Sequence, residues 1–159
     1  MKQIIVENHS KEDLRTYIST LSIFYKNCTP SAKEIQVLLL GFIATIYKEH
    51  LTDPIDRNPN ILSTIKRIFE IIKVFMKENS FGIHKACSHS ILELLDNCMM
   101  KDDNNLLIEY FFDPFCEIIL SGSNKYAQIA ATICINDIIT YFNLNNLNGI
   151  LEIISNKTL

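Results

Sequence analysis

The sequence has few glycines and prolines, the residues that most often break helices, with four of each among 159 residues. It has no tryptophan. No segment shows sustained alternation of apolar and polar residues, the pattern of a half-buried strand. We therefore expect an all-α protein with mostly short turns and no sheet. Hydrophobic residues make up 48% of the chain, which suffices for a packed core. Residues 1–159 are predicted to form a single domain.

The chain also has no excess of basic residues over acidic ones. Its net charge is −3 and its pI is about 5.8, and lysines far outnumber arginines. A nucleic-acid-binding domain usually carries a basic stripe, and arginine forks suit phosphate recognition best. Nucleic acid is therefore not an expected partner.

Long apolar runs and secretion signals are missing as well. The longest apolar run, residues 37–47, is too short to cross a bilayer. Residues 1–10 lack the charged start and apolar core of a signal peptide. The five cysteines form no CxxC pair, which is typical of buried free thiols in a reducing compartment. We therefore expect a cytoplasmic protein.

The sequence contains no glycine-rich phosphate loop, no Walker-type GK[ST], no HExxH and no GxSxG. The nearest approach to a metal cluster is His84, Cys87 and His89, but His89 lies about 140° round the helix from His84. Cys87 and Cys134 would each need a histidine base to act as nucleophiles, and isoleucines flank Cys134. We predict no catalytic residue, metal ligand or cofactor, and interpret these side chains as packed helix residues.

Six helices and a short final segment are predicted from apolar periodicity and from end signals. Thr29 is a candidate N-cap before Pro30 at the first helical position. Pro114 should kink the fifth helix, and Gly122 should end it. The predicted helices are residues 11–25, 30–51, 61–79, 83–100, 105–121 and 123–142, with a loop at 52–60, turns at 80–82 and 101–104, and a final segment at 147–154.

Two stretches of the chain, residues 83–94 and 127–138, read alike when one is moved forward by 44 residues. Small residues fall on small ones, large apolar residues on large apolar ones, and an acid on an acid. A repeat of this length built from paired helices indicates a stacked solenoid. The matched positions are Ala86 with Ala130, Cys87 with Ala131, Ser90 with Cys134, Ile91 with Ile135, Glu93 with Asp137 and Leu94 with Ile138.

The helix pairs at residues 61–100 and 105–142 resemble HEAT repeats, in the wider armadillo-like class. In that family the second helix of each pair carries small residues near its start, and a proline often bends the first helix. The resemblance implies an α-α superhelix, a right-handed armadillo/HEAT-like solenoid of about three helical hairpins plus a trailing helix. The residues that carry it are Ala86-Cys87, Ala130-Ala131 and Pro114.

The first helix pair, residues 11–51, matches the family less well, because Leu38-Leu39 stand where small residues are expected. The final segment, residues 147–154, reads as the first helix of a further pair that has no second helix. We therefore expect either a longer array or another subunit that covers this end.

The resemblance implies a non-enzymatic scaffold that binds protein partners, or a subunit of a larger assembly. Second helices line the concave side of such arrays, and their polar residues are the candidate partner-binding set. This set is Lys85, Ser88, Glu93, Gln128, Thr132 and Asp137.

Three alternatives stay open at this point. The first is a TOG-like module that binds tubulin, with a cytoskeletal or ciliary location, although the acidic pI and the lack of tryptophan speak against it. The second is a small helical enzyme or ligand carrier with a pocket between helices. The third is a purely structural subunit of a large complex.

Two groups of charged residues are relevant to the choice of partner. Lys66, Lys73 and Lys77, with Lys85, make a modest basic patch, which we interpret as an exposed face paired with its own glutamates. An acidic row repeats at helical spacing and would suit a basic partner, although a solvated face is the simpler interpretation. The row consists of Glu109, Asp113 and Glu117.

Overall fold

The computed structural model describes residue 16 and residues 28–50, 59–97 and 108–142. These residues form helices and turns without a strand, which confirms the prediction of an all-α protein. The predicted helix at 11–25, apart from residue 16, and the final segment at 147–154 lie outside the described residues. The helices are α1 (Pro30–His50), α2 (Pro59–Phe75), α3 (Phe81–Asn97), α4 (Asp113–Ser121) and α5 (Lys125–Phe142).

Helix α1 begins as the sequence predicts. The amide of Ala32 donates to the Thr29 hydroxyl oxygen at 3.3 Å, and the amide of Lys33 donates to the Thr29 carbonyl at 3.0 Å. Pro30 occupies the first helical position, where an amide hydrogen would have no helical partner. Thr29 is therefore confirmed as the N-cap.

The starts of the other helices differ from the predictions by a few residues. Phe81 and Gly82, predicted as part of a turn, begin α3, because the Ser80 hydroxyl caps it by accepting from the amide of Ile83 at 3.4 Å. Helix α5 is capped by Asn124, whose side-chain oxygen accepts from the amides of Tyr126 and Ala127 at 3.0 Å each. The predicted start at residue 123 was therefore too early.

Helix α2 is displaced towards the N-terminus relative to its prediction. It spans Pro59–Phe75 rather than 61–79, so Pro59 and Asn60 belong to the helix and not to the preceding loop. A proline at the first helical position sacrifices no hydrogen bond, as at Pro30. At the other end the chain leaves the helix after Phe75, and residues 76–79 form the turn to α3.

Pro114 disturbs its helix as predicted. The residues before it, Ile108–Phe112, form a π-helical turn that continues directly into α4. A wider turn relieves the clash between the proline ring and the preceding turn of backbone. Gly122 ends α4 in the left-handed conformation, with φ 62°, which confirms it as the stop.

Helices α1, α3 and α5 lie side by side in that order. Gly41 of α1 lies against Ser90, 49 residues later, and Ser88 of α3 hydrogen-bonds Asp137, also 49 residues later. Contacts nearer the N-termini, such as Glu34 with Gly82, show that α1 and α3 run in the same direction.

The helices α2 and α4 lie on the other side of the core. The Phe69 ring of α2 packs edge-on against the rings of Phe111 and Phe115, with centroids 6.0 and 5.2 Å apart. Such aromatic pairs contribute beyond their buried area. On the same helix the side chains of Ile68, Ile72 and Phe75, which recur at helical spacing, are buried.

The small-residue positions of the sequence repeat are buried. Ala86 and Cys87 of α3 face the core, and so do Ala130, Ala131 and Cys134 of α5. Small side chains at these positions let neighbouring helices approach closely.

Helix α1 is buried unequally around its axis. The side chain of Leu38 is 41% exposed, and that of Ile35, one turn earlier, is 60% exposed. Val37 and Leu40 are fully buried, so α1 buries the side that meets α3.

The tightest approach between helices is at Gly41. A Cβ atom there would lie 2.6 Å from the Cα atom of Ser90 and 2.9 Å from its Cβ atom. The Ser90 hydroxyl donates to the Val37 carbonyl at 2.6 Å, so a helix carbonyl and a buried hydroxyl satisfy each other across the contact. The backbones of α1 and α3 can meet here only because residue 41 has no side chain.

Replacing Gly41 with alanine should destabilise the protein. In an open helix this change stabilises by about 1 kcal/mol. Here the added methyl group meets backbone that cannot rotate away, and overpacking of this kind costs about 1–3 kcal/mol. Chemical denaturation of G41A measures the free energy of unfolding. Thr140→Ala, at an exposed position of α5, is the control and should change it by less than about 0.5 kcal/mol. A G41A protein as stable as the wild type would contradict the close approach.

Candidate functional site

Three of the six candidate residues meet between α3 and α5. The Ser88 hydroxyl donates to Oδ2 of Asp137 at 2.7 Å, and the Lys85 ammonium donates to the same oxygen at 3.1 Å. The side chain of Lys85 is 50% exposed, that of Asp137 is 24% exposed, and Ser88 is buried. The sequence analysis placed Lys85 and Ser88 on one repeat helix and Asp137 on the other, but it did not predict that they bind one another.

Competing effects act on the carboxyl group of Asp137. Partial burial raises its pKa, but the hydrogen bonds from Ser88 and Lys85 and the charge of Lys85 outweigh this and hold the pKa below its ordinary value. The carboxylate is therefore ionised in the folded protein at neutral pH. Its interactions join α3 to α5 at the border between the core and the solvent.

The other three candidates lie apart from this cluster. The Gln128 side-chain amide donates to the Ile119 carbonyl at 2.6 Å, which ties α5 to the end of α4. The Thr132 side chain is exposed, and its hydroxyl donates to the Gln128 carbonyl at 2.8 Å. Glu93 is half-buried on α3, 3.9 Å from Nδ1 of His89. The six residues thus form a row of separate features rather than one site.

The sequence analysis overlooked exposed aromatic and aliphatic residues on the same helices, two of them near the helix starts. Phe81 is 66% exposed at the start of α3, and Ile129 is 49% exposed in the second turn of α5. Phe81 was assigned to a turn, although it stands four residues before Lys85 and eight before His89. That helical spacing places it on the exposed side of α3.

The residues considered for metal binding do not converge. His84 is buried, and its Nε2 lies 2.7 Å from the Glu78 carbonyl oxygen, whereas His89 is exposed on another side of α3. Among the residues that the structure describes, no group of histidine, cysteine and acidic side chains could hold a metal ion. His84 instead ties the start of α3 to the preceding turn.

The described cysteines are free thiols, and two of them are part of the core. Burial raises the pKa of Cys87 to about 12 and raises that of Cys134 well above its ordinary value. Cys116 is half-buried, and burial together with the charge of Asp113 raises its pKa. A thiol held protonated is a poor nucleophile.

The basic patch predicted from the sequence divides into two parts. Lys85 faces α5 and pairs with Asp137, while Lys66 and Lys73 lie on α2 and Lys77 lies in the turn that follows it. Lys73 pairs with Glu70 at 2.7 Å, as expected for a face paired with its own glutamates, and its ammonium lies 5.6 Å from the centroid of the Phe69 ring.

None of the helices in the described ranges is long and apolar enough to cross a membrane.

Comparison with known proteins identifies no relative of this chain. No family model matches the sequence, and no curated protein or solved structure is significantly similar to it. The functional argument therefore depends on the residues and their geometry.

Replacing Asp137 with asparagine should lower the free energy of unfolding by about 1–3 kcal/mol at neutral pH, since hydrogen bonds to a charged acceptor are lost. A carboxylate with a lowered pKa stabilises the fold above its ordinary pKa of about 4, and the effect disappears as the pH falls through the lowered pKa. The difference between wild type and D137N should therefore shrink on acidification. Urea denaturation of both proteins at several pH values measures this difference in the free energy of unfolding.

Glu117→Gln is the matched control, because Glu117 is an exposed carboxylate on α4. This variant should differ from the wild type by less than about 0.5 kcal/mol. A stability difference for D137N that is independent of pH would contradict the role given to the Asp137 charge.

Native-state labelling should separate the cysteines by burial. We expect iodoacetamide to modify Cys28, which is half-buried, on the order of a hundredfold faster than Cys87 or Cys134, which must be exposed by unfolding before they react. Peptide mass spectrometry over a time course measures the rates, and the denatured protein, in which all sites are accessible, is the control. Equal rates for Cys28 and Cys87 in the native protein would show that α3 and α5 do not pack as described.

Proposed function

We propose that this protein is a non-enzymatic, cytoplasmic scaffold that binds a protein partner through a HEAT-like array of helical hairpins. The array is an α-α superhelix of about three hairpins, in which α1, α3 and α5 are the second helices. In this proposal the protein needs no cofactor and does not bind nucleic acid.

The observation that carries the proposal is the side-by-side packing of α1, α3 and α5. Gly41 meets Ser90 and Ser88 meets Asp137 at the same separation of 49 residues. Both pairs bring a small residue of one helix against the next. Stacking of equivalent units along one direction is the feature that defines helical-repeat proteins. The repeat of 44 residues in the sequence supports the same interpretation.

The solvent-exposed side of these second helices is the proposed binding surface. It presents Lys85 and His89 on α3, and Thr132 and Asn136 on α5. Phe81 adds an exposed aromatic side chain at the start of α3. A polar surface with a few exposed apolar residues has the composition of a typical protein interface.

The choice of test residue follows from the contacts of the six candidates. Ser88 and Asp137 support the packing of α3 on α5, so changing them would disturb the fold as well as any interface. Thr132 is exposed, and its hydroxyl bonds only to the backbone of its own helix among the contacts described, so a larger side chain fits there without repacking. Thr132 is therefore the preferred probe, with Glu93 as the second.

The test is affinity capture from native lysate with the full chain, followed by quantitative mass spectrometry. We expect Thr132→Arg and Glu93→Lys each to reduce capture of the same stoichiometric partner by about tenfold, the effect of a bulky or charge-reversing change inside an interface. Asn79→Arg, an exposed neutral-to-arginine change in the turn between α2 and α3, is the matched control and should retain the partner. Undiminished capture by T132R and E93K together would refute the assignment of this surface.

A further inference from the structure

We draw no further inference here: the strongest candidate, the exposed apolar surface that Ile35, Phe81 and Ile129 give to the layer of α1, α3 and α5, carries no proposal because nothing in the structure shows what covers it.

Discussion

The packing of α1 against α3 at Gly41 is the contact on which the rest of the structure depends. With no side chain at residue 41, the Ser90 backbone can approach, and the Ser90 hydroxyl then donates to the Val37 carbonyl. On the same helix α3, Ser88 and Lys85 donate hydrogen bonds to Asp137 of α5. A wider separation at Gly41 would expose core residues of α1 and α3 together, since Val37, Leu40 and Ile91 are fully buried. The layer of α1, α3 and α5 is therefore one structural unit, and the proposed binding surface is its outer side.

Local signals predicted much of this fold. Thr29 before Pro30 and Gly122 after α4 mark their helix ends because each changes the hydrogen bonding of the chain within one turn. The small residues Ala86 and Ala130, which the sequence repeat matched to each other, are both buried. The errors at Ser80 and Asn124 have a shared cause: several polar residues compete to cap a helix, and the choice depends on how the next helix packs.

Contacts between distant residues were not predictable in the same way. The resemblance to HEAT repeats led us to look for a small-residue patch at Leu38-Leu39, whereas the close approach uses Gly41, a few residues later. A glycine inside an apolar helical run often indicates close packing, and that signal was available. The Lys85–Ser88–Asp137 cluster joins residues about 50 positions apart, so its existence depends on the register between helices, which no local pattern records.

The most direct test of the shared layer is native-state hydrogen exchange measured for individual amides. Helices that form one cooperative unit open together, so their most protected amides report the same free energy of opening. The account predicts that the buried middles of α1, α3 and α5, around Val37, Ile91 and Cys134, exchange with similar and high protection. Rapid exchange throughout α1 alongside strong protection of α3 and α5 would contradict it, because α1 would then not be held by the contact between Gly41 and Ser90.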